Sequence, residues 1–121
     1  MSVAGWIAVG LLGGALALAR FAVDALLSDH PARPFPTGIL AVNLLGTLVL
    51  GVVAGAALSG EALVIVAGGG SGSFTTFSTW MLDTERLAES GRRDLALLNV
   101  GLSLLAGFAA VALGHWLGTA L

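Results

Sequence analysis

The segment Gly68-Gly69-Gly70-Ser71-Gly72-Ser73-Phe74-Thr75-Thr76-Phe77-Ser78-Thr79-Trp80 interrupts an otherwise apolar chain and limits what that chain can fold into. Glycine loses more conformational freedom on folding than any other residue, so four glycines within five positions weaken a helix there. Six hydroxyl side chains follow, interleaved with aromatic rings. The surroundings are those of a membrane protein: only 10% of residues are charged, where a soluble domain carries about a quarter. Mean hydropathy is +0.99. Non-regular backbone inside a bilayer persists only where protein buries it or a watery cavity adjoins it. The segment is therefore expected to line a polar route across the membrane.

A spanning helix needs roughly 20 mostly apolar residues. Charge-poor runs at 3–27, 37–58, 62–82 and 95–121 supply four. The expected fold is an all-α membrane protein, a single domain over 1–121 with spans at about 3–27, 37–58, 62–90 and 94–120. Its third helix is expected to break near the middle. Residues 28–36 hold all three prolines and separate the first two spans. The start of the chain lacks the basic residues of a signal peptide, so the first run is expected to be a retained span. Trp6 and Trp116 lie near span ends, where indoles anchor at the interface.

The spans leave little chain for a catalytic domain, and no enzyme is expected. His30 sits in the proline connection and His115 near a span end, neither with a nucleophile or ligand partner at recognisable spacing. Without cysteine there is no disulfide and no thiolate metal site. Net charge is −2, and no nucleic-acid partner is expected.

Two stripes of small and polar residues run along the spans. Asn43, Thr47, Gly51 and Gly55 recur every four residues on span 2; Asn99, Ser103 and Gly107 do so on span 4. Gly10 and Gly14, and the ridge Ala110, Gly114 and Gly118, allow helices to approach closely, within one chain or between two. Polar side chains in a membrane helix face another helix or a cavity. Ser103 fits either interhelical bonding or a pore wall. Asn43 points to function, because a primary amide is costly to bury and offers two donor hydrogens.

With these pieces in place, the chain resembles the Fluc (CrcB-like) fluoride channel family. The likeness rests on Gly13-Gly14-Ala15 with Arg20 in span 1, and on Gly38 through Asn43-Leu44-Leu45-Gly46 in span 2. It is most specific at Gly69-Gly70-Ser71-Gly72-Ser73-Phe74-Thr75-Thr76-Phe77-Ser78-Thr79. The resemblance implies an antiparallel dimer of two four-span subunits with a pair of narrow pores. It also implies a structural sodium ion at the dimer centre, held by main-chain oxygens, here near Gly72 and Thr75. By the same likeness Asn43, Thr76, Phe77 and Ser103 line the pore, and Arg20 stands at its vestibule. The family's second pore phenylalanine falls at Trp80 and its following acidic residue at Asp83. The larger indole is expected to slow conduction relative to a two-phenylalanine relative.

The chemistry suits that implication. Fluoride is small and strongly hydrated, so a pore must replace water with other donors. Asn43 brings an NH2, and serine and threonine hydroxyls rotate to donate. Aromatic rings carry positive edges, which the rings at 77 and 80 can turn to an anion. Arg20 raises local anion concentration, or alternatively snorkels to the interface. Phe74, Phe77 and Trp80 share a broad helix face, which on spacing alone fits core packing equally well.

Topology follows the arginines. Arg33, Arg86, Arg92 and Arg93, with Arg20 at the edge, lie on the side of the 1–2 and 3–4 connections; the other side has no arginine or lysine. That side is expected to be cytoplasmic. The bias bears on the partner, either an identical chain or a paralogous one in the opposite orientation. The overall expectation is a passive channel in the cell inner (plasma) membrane, exporting fluoride from the cytoplasm. The alternatives are a small four-span multidrug or cation transporter and a non-conducting subunit of a hetero-pair. The transporter needs a membrane-embedded carboxylate in its first span, and residues 3–19 contain none.

Overall fold

The computed structural model describes residues 1–28 and 34–121. The expectations for His30 and Arg33 lie outside the described residues. Among the described residues there are six α-helices and one π-helical segment: α1 (Val3–Ser28), α2 (Thr37–Gly55), α3 (Gly60–Leu63), the π-helical segment (Val64–Ser71), α4 (Gly72–Phe74), α5 (Phe77–Glu89) and α6 (Arg93–Gly118). Helices α1, α2 and α6 are long and apolar enough to cross a membrane. Leu11, Phe21, Leu105, Phe108 and Trp116 are exposed along them, a surface suited to lipid rather than water. The chain is a multi-pass membrane protein.

The third apolar run is assembled differently. The glycine run does not unwind, as its composition suggested; it stays wound as π-helix, and Gly69, Gly70 and Ser71 are buried. The reason is contact with α1. A Cβ at Gly69 would lie 3.0 Å from the Cα of Val9, and one at Gly13 would lie 2.9 Å from Ser73 Oγ. Glycine there permits a backbone approach that any side chain would block. The helix instead breaks at Thr75 and Thr76, whose φ/ψ values of −78/159° and −148/125° are extended. A π-helical turn beside a break is a geometry found mostly at functional sites.

Helix α2 packs most extensively on α6. The glycine ridges interlock here: a Cβ on Gly51 would strike the Val111 carbonyl, and one on Gly114 the Leu48 carbonyl. Gly55 and Gly118 repeat the contact one turn on, against His115 and Val52. These glycines therefore serve packing within the chain, whereas Gly10, Gly14 and Gly107 meet nothing within 4 Å.

Polar caps hold the ends. Ser28 Oγ accepts from the Gly38 N–H at 3.1 Å, satisfying one of the free donors at the start of α2, and donates to Asp24 at 2.8 Å. At the opposite end, the Glu61 carboxylate receives both the Ser2 N–H, at 3.0 Å, and the Ser2 hydroxyl. These bonds hold the Glu61 carboxyl below its usual pKa.

Candidate functional site

The break is held open by α2. Asn43 Nδ2 donates to the Thr76 carbonyl at 3.0 Å, and the Thr76 N–H donates to Asn43 Oδ1 at 2.8 Å. The carboxamide thus replaces the helical partners that Thr76 gives up. Thr76 N–H no longer reaches the Gly72 carbonyl, which has no main-chain donor among the described residues. Thr47 Oγ1 donates to the Asn43 carbonyl at 2.7 Å.

The two hydroxyls of the break finish the helix ends. Thr75 Oγ1 donates to the Ser71 carbonyl at 2.9 Å. Thr76 Oγ1 accepts from the Thr79 N–H at 3.3 Å, the N-cap of α5. Thr76, expected on the pore wall, is 8% exposed, and its oxygen is engaged as this cap. Among the described residues, the Phe77 and Ser78 N–H groups have no protein acceptor. They are the positive end of the α5 dipole.

Arg20 approaches from the α1 side, Nη1 donating to the Thr75 carbonyl at 3.3 Å. This contact was not anticipated from its place at the end of span 1. Asp83 lies 3.6 Å from Arg86 Nη1 as an ion pair along α5.

A groove of about 360 Å³ opens at the break. Asn43, Gly72, Thr75, Thr76, Phe77, Trp80 and Ser103 all line it, so residues scattered over 60 positions meet on one surface. Of the proposed site residues only Arg20 stands outside. Phe77 is 71% exposed, and its ring meets Trp80 edge-on, centroids 5.6 Å apart and planes at 71°. The oxygens of Ser71 and Ser103 are buried without a hydrogen-bond partner. Asn43 has spent one amide hydrogen on Thr76 and keeps the other. The groove thus offers an amide N–H, rotatable hydroxyls, helix N–H groups and ring edges. That is a set of donors with no carboxylate. A second cavity of about 420 Å³ is lined by Asp24, Asp83 and Arg86, two carboxylates against one guanidinium.

Trp80 and Asn99 meet where α5 packs on α6. The indole Nε1–H donates to the Asn99 carbonyl at 3.4 Å rather than facing the groove, and Asn99 Nδ2 donates to Thr84 Oγ1 at 2.9 Å. Asn99 was visible only as a member of the span 4 stripe, and Thr84 gave no signal.

Residues 7–115 match the family described as CrcB-like protein, Camphor Resistance (CrcB). The chain belongs to this family. It is 44% identical over 117 residues to the fluoride-specific ion channel FluC 2 of Mycobacterium tuberculosis (strain ATCC 25618 / H37Rv), covering 97% of this chain and 93% of that one. Symbiobacterium thermophilum has two similar proteins. Its fluoride-specific ion channel FluC 1 is 39% identical over 122 residues, covering 96% and 95% of the two chains. Its FluC 2 is 46% identical over 109 residues, covering 85% and 89%. CrcB-like membership leaves the small multidrug transporter without support.

Proposed function

We propose that the chain is a subunit of a fluoride-selective passive channel of the plasma membrane. The observation that carries this reading is the groove at the break, where donors gather without a carboxylate. Similarity to proteins named as fluoride-specific ion channels supplies the substrate. In this reading the chain from about residue 62 through the π-helical segment, α4 and α5 forms the third of four spans. Neither half suffices alone, since the 13 residues of α5 reach only about 20 Å of a hydrocarbon core about 30 Å thick.

Fluoride leaves its water for the second Asn43 hydrogen, the α5 N–H groups and the edges of Phe77 and Trp80. Ser103, with its unpartnered oxygen, takes the ion next along α6. The chain couples to no energy source, so flux follows the fluoride gradient and the membrane potential, which is outward for an anion in a cell that is negative inside. Arg20 draws anions toward the break.

The groove is open on one side, which fits a second subunit in the opposite orientation completing two pores. The arginine bias favours a paralogous chain over a copy, and the presence of two FluC proteins in Symbiobacterium thermophilum is in keeping with that reading. A sodium ion at the centre fits the residues present. The Gly72 carbonyl is released from helical bonding, the Thr75 carbonyl has a lone pair beyond the Arg20 bond, and carbonyls freed at a helix break suit a hard monovalent cation. When bound, the ion would supply positive charge beside the Gly72 and Thr75 carbonyls.

The test is the reversal potential of reconstituted protein in a planar bilayer under opposed fluoride and chloride gradients. A potential that tracks fluoride supports the reading; one that tracks chloride, or neither, rejects it.

A further inference from the structure

Trp80 brings an N–H to the wall of a groove built for anions, yet the structure turns that N–H away. The indole Nε1–H donates to the Asn99 main-chain carbonyl at 3.4 Å. Two more bonds close a ring around it: Asn99 Nδ2 to Thr84 Oγ1 at 2.9 Å, and Thr84 Oγ1 to the Trp80 carbonyl at 2.8 Å. Thr84 lies one turn beyond Trp80 on α5, so the Asn99–Thr84 bond sets the α5–α6 spacing where the indole makes its contact.

Donor chemistry fixes the direction of this ring. Thr84 has one hydroxyl hydrogen, used on Trp80, so toward Asn99 it can only accept. Asn99 therefore presents Nδ2 to Thr84 and leaves Oδ1 without a partner, in a side chain only 1% exposed. That arrangement leaves a buried polar atom unsatisfied, and interhelical adhesion alone does not call for it.

We propose that Asn99 and Thr84 are positioning residues that keep the Trp80 indole N–H turned onto α6, so the groove meets only the carbon edge of the ring. The functional consequence rests on the fluoride reading above. An N–H is a stronger donor than a ring edge. Released into the groove, it would hold a small anion and slow its passage.

The test uses the full chain carrying Trp6→Phe and Trp116→Phe, in which Trp80 is the sole tryptophan. With 15N-labelled indole in micelles, the parent is expected to show a slowly exchanging N–H whose resonance is the same in sodium fluoride and sodium chloride. Thr84→Val should speed deuterium exchange about fivefold or more, as loss of a hydrogen bond implies. It should also make the resonance respond to fluoride and lower fluoride efflux from liposomes, and Thr84→Ser should restore all three. Trp80→Phe, which has no N–H to release, should raise efflux instead. A parent resonance that moves with fluoride overturns the proposal, as does exchange unchanged by Thr84→Val. Should Thr84→Val fail to fold, Asn99→Ala carries the same exchange comparison. Absence of fluoride efflux from the parent counts against the channel reading, and deuterium exchange then still decides the indole's partner.

Discussion

Asn43 and Thr76, 33 positions apart, are joined by two hydrogen bonds of 3.0 and 2.8 Å between one carboxamide and the main-chain N–H and C=O of one residue. The pairing explains how a helix can stop at mid-span with both main-chain groups of Thr76 satisfied. It also joins structure and transport, because the amide that stabilises the break keeps one hydrogen for the groove.

Replacing Asn43 by aspartate should therefore do two things. It sets an acceptor against the Thr76 carbonyl and a negative charge before an anion path, so fluoride efflux is expected to vanish. Asn43→Ala should cost about 2–4 kcal/mol of stability, from two lost bonds and the unsatisfied Thr76 groups they leave. Equilibrium unfolding in detergent gives the second number, and efflux the first.

Trp80→Phe should raise fluoride efflux. The indole's N–H is already engaged on α6, so the change mainly removes bulk beside Phe77. Unitary current in a bilayer, compared with the parent, is the readout. An unchanged or lower current means that the indole does not limit the path.

The glycines of α6 should divide sharply. Gly114→Ala drives a Cβ into the Leu48 carbonyl and to 3.0 Å from the Val52 nitrogen, and is expected to destabilise by about 1–3 kcal/mol. Gly101 meets nothing within 4 Å, so Gly101→Ala should stabilise the helix by about 0.5–1 kcal/mol. Thermal unfolding of the two variants side by side tests the contrast.

The Ser2–Glu61 link should be acid-sensitive. The folded pKa of Glu61 lies below its ordinary value of 4.5, first because of the Ser2 hydroxyl bond and then the Ser2 N–H bond. A depressed carboxyl pKa contributes fully above the unfolded value and loses its effect as pH falls through the folded one. Amide exchange at Gly5 and Trp6 should accelerate, beyond its intrinsic pH trend, only below the Glu61 range. Glu61→Gln should remove that acid-dependent change.

Much of this architecture is legible in sequence because bilayer solvation is so demanding. Apolar runs long enough to span must be helical, and α1, α2 and α6 follow from that alone. The stripe of Asn43 and Thr47 announced a polar contact, and its glycines an intimate one. The position of the break was less visible. Glycine composition argued for unwinding at Gly68–Gly72, but α1 approaches closely there, and a wound backbone permits the contact. Extended geometry falls instead on two threonines, because Asn43 from another helix supplies their partners. Such a choice depends on tertiary position, as do the Arg20–Thr75 bond and the direction of the Trp80 N–H.

The most direct test of the central claim is fluoride efflux from liposomes, read by a fluoride electrode with valinomycin for charge balance and chloride as control. It should be run on the chain alone, with a paralogous partner, and on Asn43→Asp in the same pairing. The account predicts rapid fluoride efflux from at least one assembly, little chloride efflux, and none of either from Asn43→Asp. No fluoride efflux from either assembly, or efflux that survives Asn43→Asp, would contradict it.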